Sequence, residues 1–189
     1  FSTILRHTLR QDPDIVMVGE IRDRETAEIA VQAALTGHLV LSTLHTNHAI
    51  GAITRMIDMN VEPYLLSSAL IGIVAQRLVR TICPTCKTRH AAAPEIINKY
   101  GWNSDKQIHL ARGRGCNECY DSGYKGRMGI HEILDADDEL QQLITTNPSR
   151  DELSAYLSSK NFSNLFHDGL EHVRGGKTTI EEISRVINI

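Results

Sequence analysis

The chain has 189 residues, 41% hydrophobic and 23% charged, with a formal net charge of −3. That suffices for one ordinary domain, or a domain plus a small module, with a normal core and no bias toward disorder. So mild a balance argues against nucleic-acid binding as the main task, which needs clustered excess Lys and Arg.

The longest apolar stretch, Tyr64 to Ala75, holds serines and is too short for a membrane span. No signal peptide is visible. The chain starts at Phe1 rather than Met, as an excised segment would.

Ile4 to Arg10 reads as an amphipathic helix with Arg6 and Arg10 one turn apart on one face. Asp12-Pro13-Asp14 ends it, since Pro13 cannot continue a helix and holds Asp12 extended. Ile15 to Val18 is a continuous apolar run, the pattern of a parallel strand covered on both faces. Asp23 is placed to cap a helix carrying Ala27, Ala30, Val31 and Ala34 inward, and Gly37 closes it. His38 to Thr43 follows as a second buried strand, so strand, helix and strand imply a right-handed parallel crossover.

Asn47 is the expected cap of the next helix, with Ile50, Ile53, Met56 and Ile57 inward and Asn60 near its end. Pro63 opens a third helix, which the pattern carries toward Arg80. At Cys83 the composition turns polar and weakly periodic, as far as about Tyr120. Gly126 to Leu134 restores strand-like text, and from Asp137 helical stretches alternate with Asn-Pro and Gly-Gly breaks. Residues 1–81, 82–125 and 126–189 are the expected divisions.

Glu20 follows an apolar strand and one Gly, at the carboxyl edge where open parallel sheets bind ligands. A carboxylate there can hold a magnesium-bound water or orient an attacking water toward a γ-phosphate; it can equally be a strand-end acid in a surface loop. His38 and His45 flank the second strand. His45 lies in Thr43-Leu44-His45-Thr46-Asn47, a tip rich in hydrogen-bonding groups and suited to sensing a phosphate oxygen.

Cys83, Cys86, Cys116 and Cys119 form two C-x2-C hooks, the spacing of a closed, four-thiolate structural zinc site. The gap between the hooks, residues 87–115, exceeds the usual ribbon spacing, but loop closure costs grow only logarithmically. Redox CxxC, disulfide and iron–sulfur readings compete, and no thioredoxin-like pattern surrounds the hooks. The segment between them has little core of its own, so metal is expected to supply much of its folding energy.

Arg174-Gly175-Gly176-Lys177-Thr178 mimics the end of a phosphate-binding loop. The pattern needs a Gly where Glu171 stands, and a helix rather than a strand precedes it. A Gly turn between helices, with Thr178 or Thr179 as cap and Glu181 or Glu182 closing a capping box, is the better reading.

DPDIVMVGEIRD followed by TGHLVLSTLHTN resembles the Walker B segment and histidine box of the secretion and type IV pilus assembly ATPases. LRQDPD, AQRLVRTIC, the two CxxC pairs and GYKGRMGIHE agree in order, so the resemblance covers essentially the whole chain. These are RecA-like, hexameric motors. The resemblance implies an α/β fold: the second half of a RecA-like P-loop ATPase sheet, with a tetracysteine zinc module and a C-terminal helical extension.

By the same resemblance Glu20 is the Walker B glutamate, His38 and His45 belong to the histidine box, and Arg6, Arg10, Arg22, Arg55 and Arg127 stand near nucleotide or at subunit contacts. Read from the residues alone, Arg6 and Arg10 could equally be a solvated face. ATP, Mg2+ and Zn2+ are the implied ligands. The Walker A loop and acidic box are expected before Phe1, so the chain alone should bind ATP poorly and hydrolyse little.

The implied function is the type II secretion motor, hydrolysing ATP at the cytoplasmic face of the bacterial inner membrane to drive pseudopilus assembly. The implied partners are further copies in a homo-hexamer and the inner-membrane platform, including the L-type cytoplasmic domain through a region outside this chain. Type IV pilus assembly is the nearest alternative; the Cys119–Tyr124 spacing and Gly-Ile-His-Glu at 129–132 lean toward secretion. A non-catalytic zinc-binding interaction module is the third reading. Lys87, Arg89 and His90 offer acidic phospholipid a contact, although a short solvated charge run accounts for them as well.

Overall fold

The computed structural model describes residues 2–102 and 107–187, so 103–106 of the expected zinc module lie outside it. The chain divides into two units that interleave in sequence: residues 1–75 with 133–162, and residues 76–132 with 163–189. Among the described residues the strands form three two-stranded sheets, β1–β2, β3–β6 and β4–β5.

In the first unit, α1 (Ser2–Leu9) leads to β1 (Ile15–Val18). Asp12 takes φ +53 rather than the extended backbone expected before Pro13. It closes the last turn of α1 by donating to the Leu9 carbonyl, and Asp is one of the few residues that tolerate this conformation. Asp23 caps α2 (Arg24–Leu35), its carboxylate accepting the Thr26 N–H at 2.9 Å. Gly37, at φ +102, ends that helix and turns the chain into β2 (Leu39–Ser42). β1 and β2 pair in parallel, Ile15 with Leu39 and Val18 with Ser42.

Within the described residues, only part of the cover expected on β1 and β2 is present. Val16 and Val18 are buried, but Ile15 and Met17 are 61% and 78% exposed, and no β2 residue is fully buried. Helices α1 and α2 cover one face of this pair within the described residues.

α3 (Ala49–Asp58) has His48 at its N-cap position, one residue after the expected Asn47 and without a side-chain cap bond from His48, and buries Ala49, Ile50, Ala52, Ile53 and Met56. Asn60, at φ +62, follows its end. Pro63 opens α4 (Pro63–Ala69) as expected, but the helix stops there, and β3 (Gly72–Ile82) replaces the helix expected toward Arg80. Ile71, Ile73, Val74 and Val79 are β-branched, and the burial of β3 alternates with period two, so packing as a strand wins over a helix-like spacing. α6 (Asp138–Thr145) and α7 (Arg150–Ser159) complete the first core around Ile53, Leu66, Leu140, Ile144 and Leu153. A capping box at Ser149 and Glu152 starts α7.

In the second unit, β4 (Lys87–Ala91) pairs antiparallel with β5 (His109–Gly113). The segment between the hooks therefore has more order than its polarity suggested. α5 (Pro94–Lys99) lies between these strands, and Ala92, Trp102 and Leu110 join a core with Val79, Ile130, Leu170, Val173 and Ile183. β6 (Tyr124–Asp135), α8 (Leu165–Arg174) and α9 (Ile180–Ile187) supply the rest. The Gly turn between α8 and α9 is as expected: Gly176 sits at φ +69 and Lys177 donates to the His172 carbonyl. Thr179 Oγ1 accepts the Glu182 N–H, but the Glu182 carboxylate turns to Arg80 and Arg185, so the expected capping box does not close.

Candidate functional site

The parallel register places Gly19 and Glu20 just past the end of β1, beside Thr43 to His45 just past the end of β2. Two cross-links hold these tips together: the Ile21 N–H donates to the Thr43 carbonyl at 3.0 Å, and Thr43 Oγ1 donates to the Gly19 carbonyl at 2.7 Å. That double tie sets the height of Glu20 against His45. His45 Nε2 lies 2.9 Å from Glu20 Oε2, and Arg22 Nε lies 2.6 Å from the same oxygen. With the carboxylate ionised, both partners donate.

Glu20 is held below the usual carboxylate range, chiefly by the Arg22 hydrogen bond and then by that of His45. A carboxylate so stabilised is a weak proton acceptor at neutral pH, where efficient general bases have pKa values near the working pH. Its suited work is to hold or orient a ligand. Both protein donors use Oε2, and among the described residues nothing bonds Oε1. The side chain is 22% exposed, so Oε1 can be reached.

The structure does not bring His38 to this cluster. It precedes β2, at the opposite end from His45, and the strand between them separates the two by roughly 15–20 Å at about 3.3 Å per residue. Its Nδ1 lies 3.0 Å from the Ala33 carbonyl and 3.2 Å from Thr36 Oγ1, at the carboxyl end of α2. Arg6 pairs with Glu25 at 3.0 Å, whereas Arg10 and Arg55 make no ion pair with the described residues. Arg127 lies on β6, in the second unit. The Thr43–Gly19 tie was missed in the sequence, where nothing reports that a strand-end hydroxyl will reach a neighbouring carbonyl.

The four cysteines converge, with all sulfurs within 4.8 Å of one another. Cys83–Cys116, Cys86–Cys119 and Cys116–Cys119 separations are 3.9, 3.8 and 3.7 Å. Thiolates at about 2.3 Å from one tetrahedral ion stand about 3.8 Å apart, so the cluster fits such an ion. The spacing is far longer than a disulfide of about 2.05 Å. The second hook is a 3-10 turn, Asn117–Cys119, and the Gly123 N–H donates to Cys119 Sγ at 3.3 Å.

Burial opposes ionisation of Cys83 most strongly, yet the backbone N–H groups of Cys86 and Thr85 bring it down to about 7. Burial pushes the Cys116 thiol up to about 11. A cation at the centre would favour all four thiolates together.

The false phosphate loop is occupied otherwise. Thr178 is fully buried, and its Oγ1 donates to the Arg80 carbonyl at 2.8 Å.

Residues 1–185 match the family described as type II/IV secretion system protein. The chain is 53% identical over 98% of its length to type II secretion system protein E of Pseudomonas aeruginosa, and 52% identical over 98% to type II secretion system ATPase E of Vibrio cholerae. It is 50% identical over 97% of its length to the type IV pilus assembly ATPase PilB of Thermus thermophilus. It spans 37% of the length of the first two relatives and 21% of the third. The pilus retraction motor PilT, solved with bound ADP, superposes with a TM-score of 0.66 at 28% identity, over 97% of this chain and 42% of that one. The Legionella pneumophila ATPase DotB shares the fold at the same TM-score, over 97% of this chain and 41% of that one, at 20% identity. The α/β, RecA-like class is therefore that of the chain.

Proposed function

The chain belongs to the type II/IV secretion system protein family, and from that premise we propose that it is the Walker B and zinc-bearing portion of an ATP-hydrolysing motor of type II secretion. The observation that carries the reading is the Glu20–His45–Arg22 cluster at two adjacent strand ends. Glu20 Oε1 orients the attacking water toward the γ-phosphate, and Glu20 is the residue that would hold a magnesium ion through its bound water. Bound magnesium supplies charge neutralisation on the phosphates. His45, held on Glu20 Oε2 through Nε2, keeps its ring at the strand tip, where it can meet a phosphate oxygen. Arg22 keeps the carboxylate anionic while this happens, and Arg6, Arg10, Arg55 and Arg127 serve nucleotide or subunit contacts.

His38 acts through the end of α2, setting where β2 begins. The four cysteines hold one structural zinc. The working assembly is a homo-hexamer at the cytoplasmic face of the inner membrane, docked on the secretion platform and driving pseudopilus growth. No described helix is long and apolar enough to cross a membrane. Type IV pilus assembly is the second reading, favoured by the 50% identity to PilB.

The test is Glu20→Gln in the intact protein. Turnover should fall at least a hundredfold with nucleotide affinity within about threefold of wild type; wild-type turnover would remove Glu20 from the mechanism.

A further inference from the structure

In the first unit Arg6, Arg22, Arg24 and Lys160 each hold a carboxylate. Arg10, Arg55 and Arg150 make no ion pair with the described residues, and two of these three, Arg55 and Arg150, line one cavity of about 290 Å³. Their convergence follows from the local fold. α3 turns Ala49, Ile53 and Met56 into the core, which leaves His48, Thr54, Arg55 and Asp58 along the cavity wall. Arg150 comes from α7 as its first helical residue, inside the Ser149–Glu152 capping box that fixes the backbone there. Thr46, one residue beyond His45, joins the same wall.

Two guanidiniums in one recess repel each other unless an anion lies between them. Asp58 is the one carboxylate of the lining, and it pairs with neither. A guanidinium is a planar fork that matches phosphoryl oxygens two at a time. The Thr46 hydroxyl and the His48 ring, on the same wall, can each add a single donor, while Thr54 Oγ1 donates to the Gly51 carbonyl at 3.2 Å. The volume takes orthophosphate together with several waters of about 30 Å³ each.

We infer that this recess is a phosphoryl-binding site beside the Glu20–His45 cluster, taking orthophosphate or the phosphate tail of a nucleotide, with Arg55 and Arg150 as its clamp. It rests on the proposed function only for where the phosphate comes from. Its position next to the His45 loop suits a station for released phosphate.

Isothermal titration of the intact protein with sodium phosphate at fixed ionic strength, with and without saturating ADP, tests the site. Arg150→Ala should weaken binding at least tenfold with an unchanged circular dichroism spectrum, and Arg150→Lys should recover part of the loss. Asp58→Asn should tighten binding severalfold, while the charge control Arg89→Ala leaves it unchanged. Phosphate binding that persists under ADP identifies free orthophosphate as the ligand. Mutual exclusion, with ADP weakened in parallel by Arg150→Ala, identifies the nucleotide's own phosphates. Wild-type affinity in both Arg150→Ala and Asp58→Asn, or an Arg89→Ala loss equal to that of Arg150→Ala, overturns the site. A Glu20→Gln variant that kept full turnover would sink the proposed function and leave these titrations standing.

Discussion

Glu182 is a carboxylate with 1% of its surface exposed, and replacing it with Gln should loosen α9 measurably. It accepts from the Arg80 N–H at 2.9 Å, from Arg80 Nε and Nη2 at 2.9 and 2.6 Å, and from Arg185 Nε and Nη2 at 2.9 and 2.7 Å. The Arg80 guanidinium also lies over the Tyr124 ring, 4.2 Å from its centroid. In the variant an amide N–H₂ faces guanidinium N–H groups, donor against donor.

Burial opposes the charge of Glu182 most strongly, and the hydrogen bonds of Arg185 and Arg80 outweigh it, bringing the carboxyl from the usual 4.5 down to about 2. Such a difference corresponds to roughly 3 kcal/mol at neutral pH. Arg80 and Arg185 are 43% and 58% exposed, so solvent screening reduces this to about 2 kcal/mol. Native-state hydrogen exchange reads that as about a thirtyfold loss of protection in Ile180–Ile187 at pH 7. Because the folded pKa is depressed, the contribution is complete above pH 4.5 and disappears as pH falls toward 2. Wild-type protection should therefore fall across that window and the variant's should not. Protection within threefold of wild type at pH 7 would refute the reasoning.

Two further outcomes follow from the cysteine module. Elemental analysis of the reduced, intact protein should find close to one zinc per chain, and a strong chelator should raise exchange first between Cys83 and Cys119; less than about a tenth of an equivalent would reject the metal. Gly113→Ala should weaken metal retention, because the new Cβ would meet Gly123 Cα at 2.6 Å and displace the Gly123 carbonyl, which accepts the Cys83 N–H at 2.9 Å. A colorimetric zinc-release assay checks this, and wild-type release kinetics would count against it.

Local signals were legible in the sequence, and signals that depend on distant partners were not. β1 spans Ile15–Val18 as read, Asp23 caps α2, and the cysteine spacing already implied convergence. The Ser-x-x-Glu start of α7 was present in the text and was overlooked. The run from Leu65 to Ile73 keeps a helix-like spacing past the point where α4 ends, and only pairing with β6 makes its continuation a strand. Apolar content states what β1 can bury, not what lies against it, and within the described residues only Val16 and Val18 are covered. At the candidate site, Glu20 and His45 could be placed at strand ends. Their shared oxygen and the Thr43 tie depend on side-chain rotamers that no spacing encodes. The Arg80–Glu182 contact joins residues 102 positions apart, beyond any local pattern.

The interleaving of the two units has a consequence for biosynthesis. α4 packs on α6, and Ser67 Oγ donates to the Gln141 carbonyl across 74 residues, so the early core stays incomplete until the ribosome has released that later stretch. The cysteine hooks lie wholly inside the intervening length and can close around metal first. Vectorial synthesis thus gives the metal hooks a head start, while Ile53 and Leu66 wait for α6 and α7. A nascent chain from which residues up to about 130 have emerged from the ribosome should consequently hold ordered hooks while residues 1–75 stay open to chaperones.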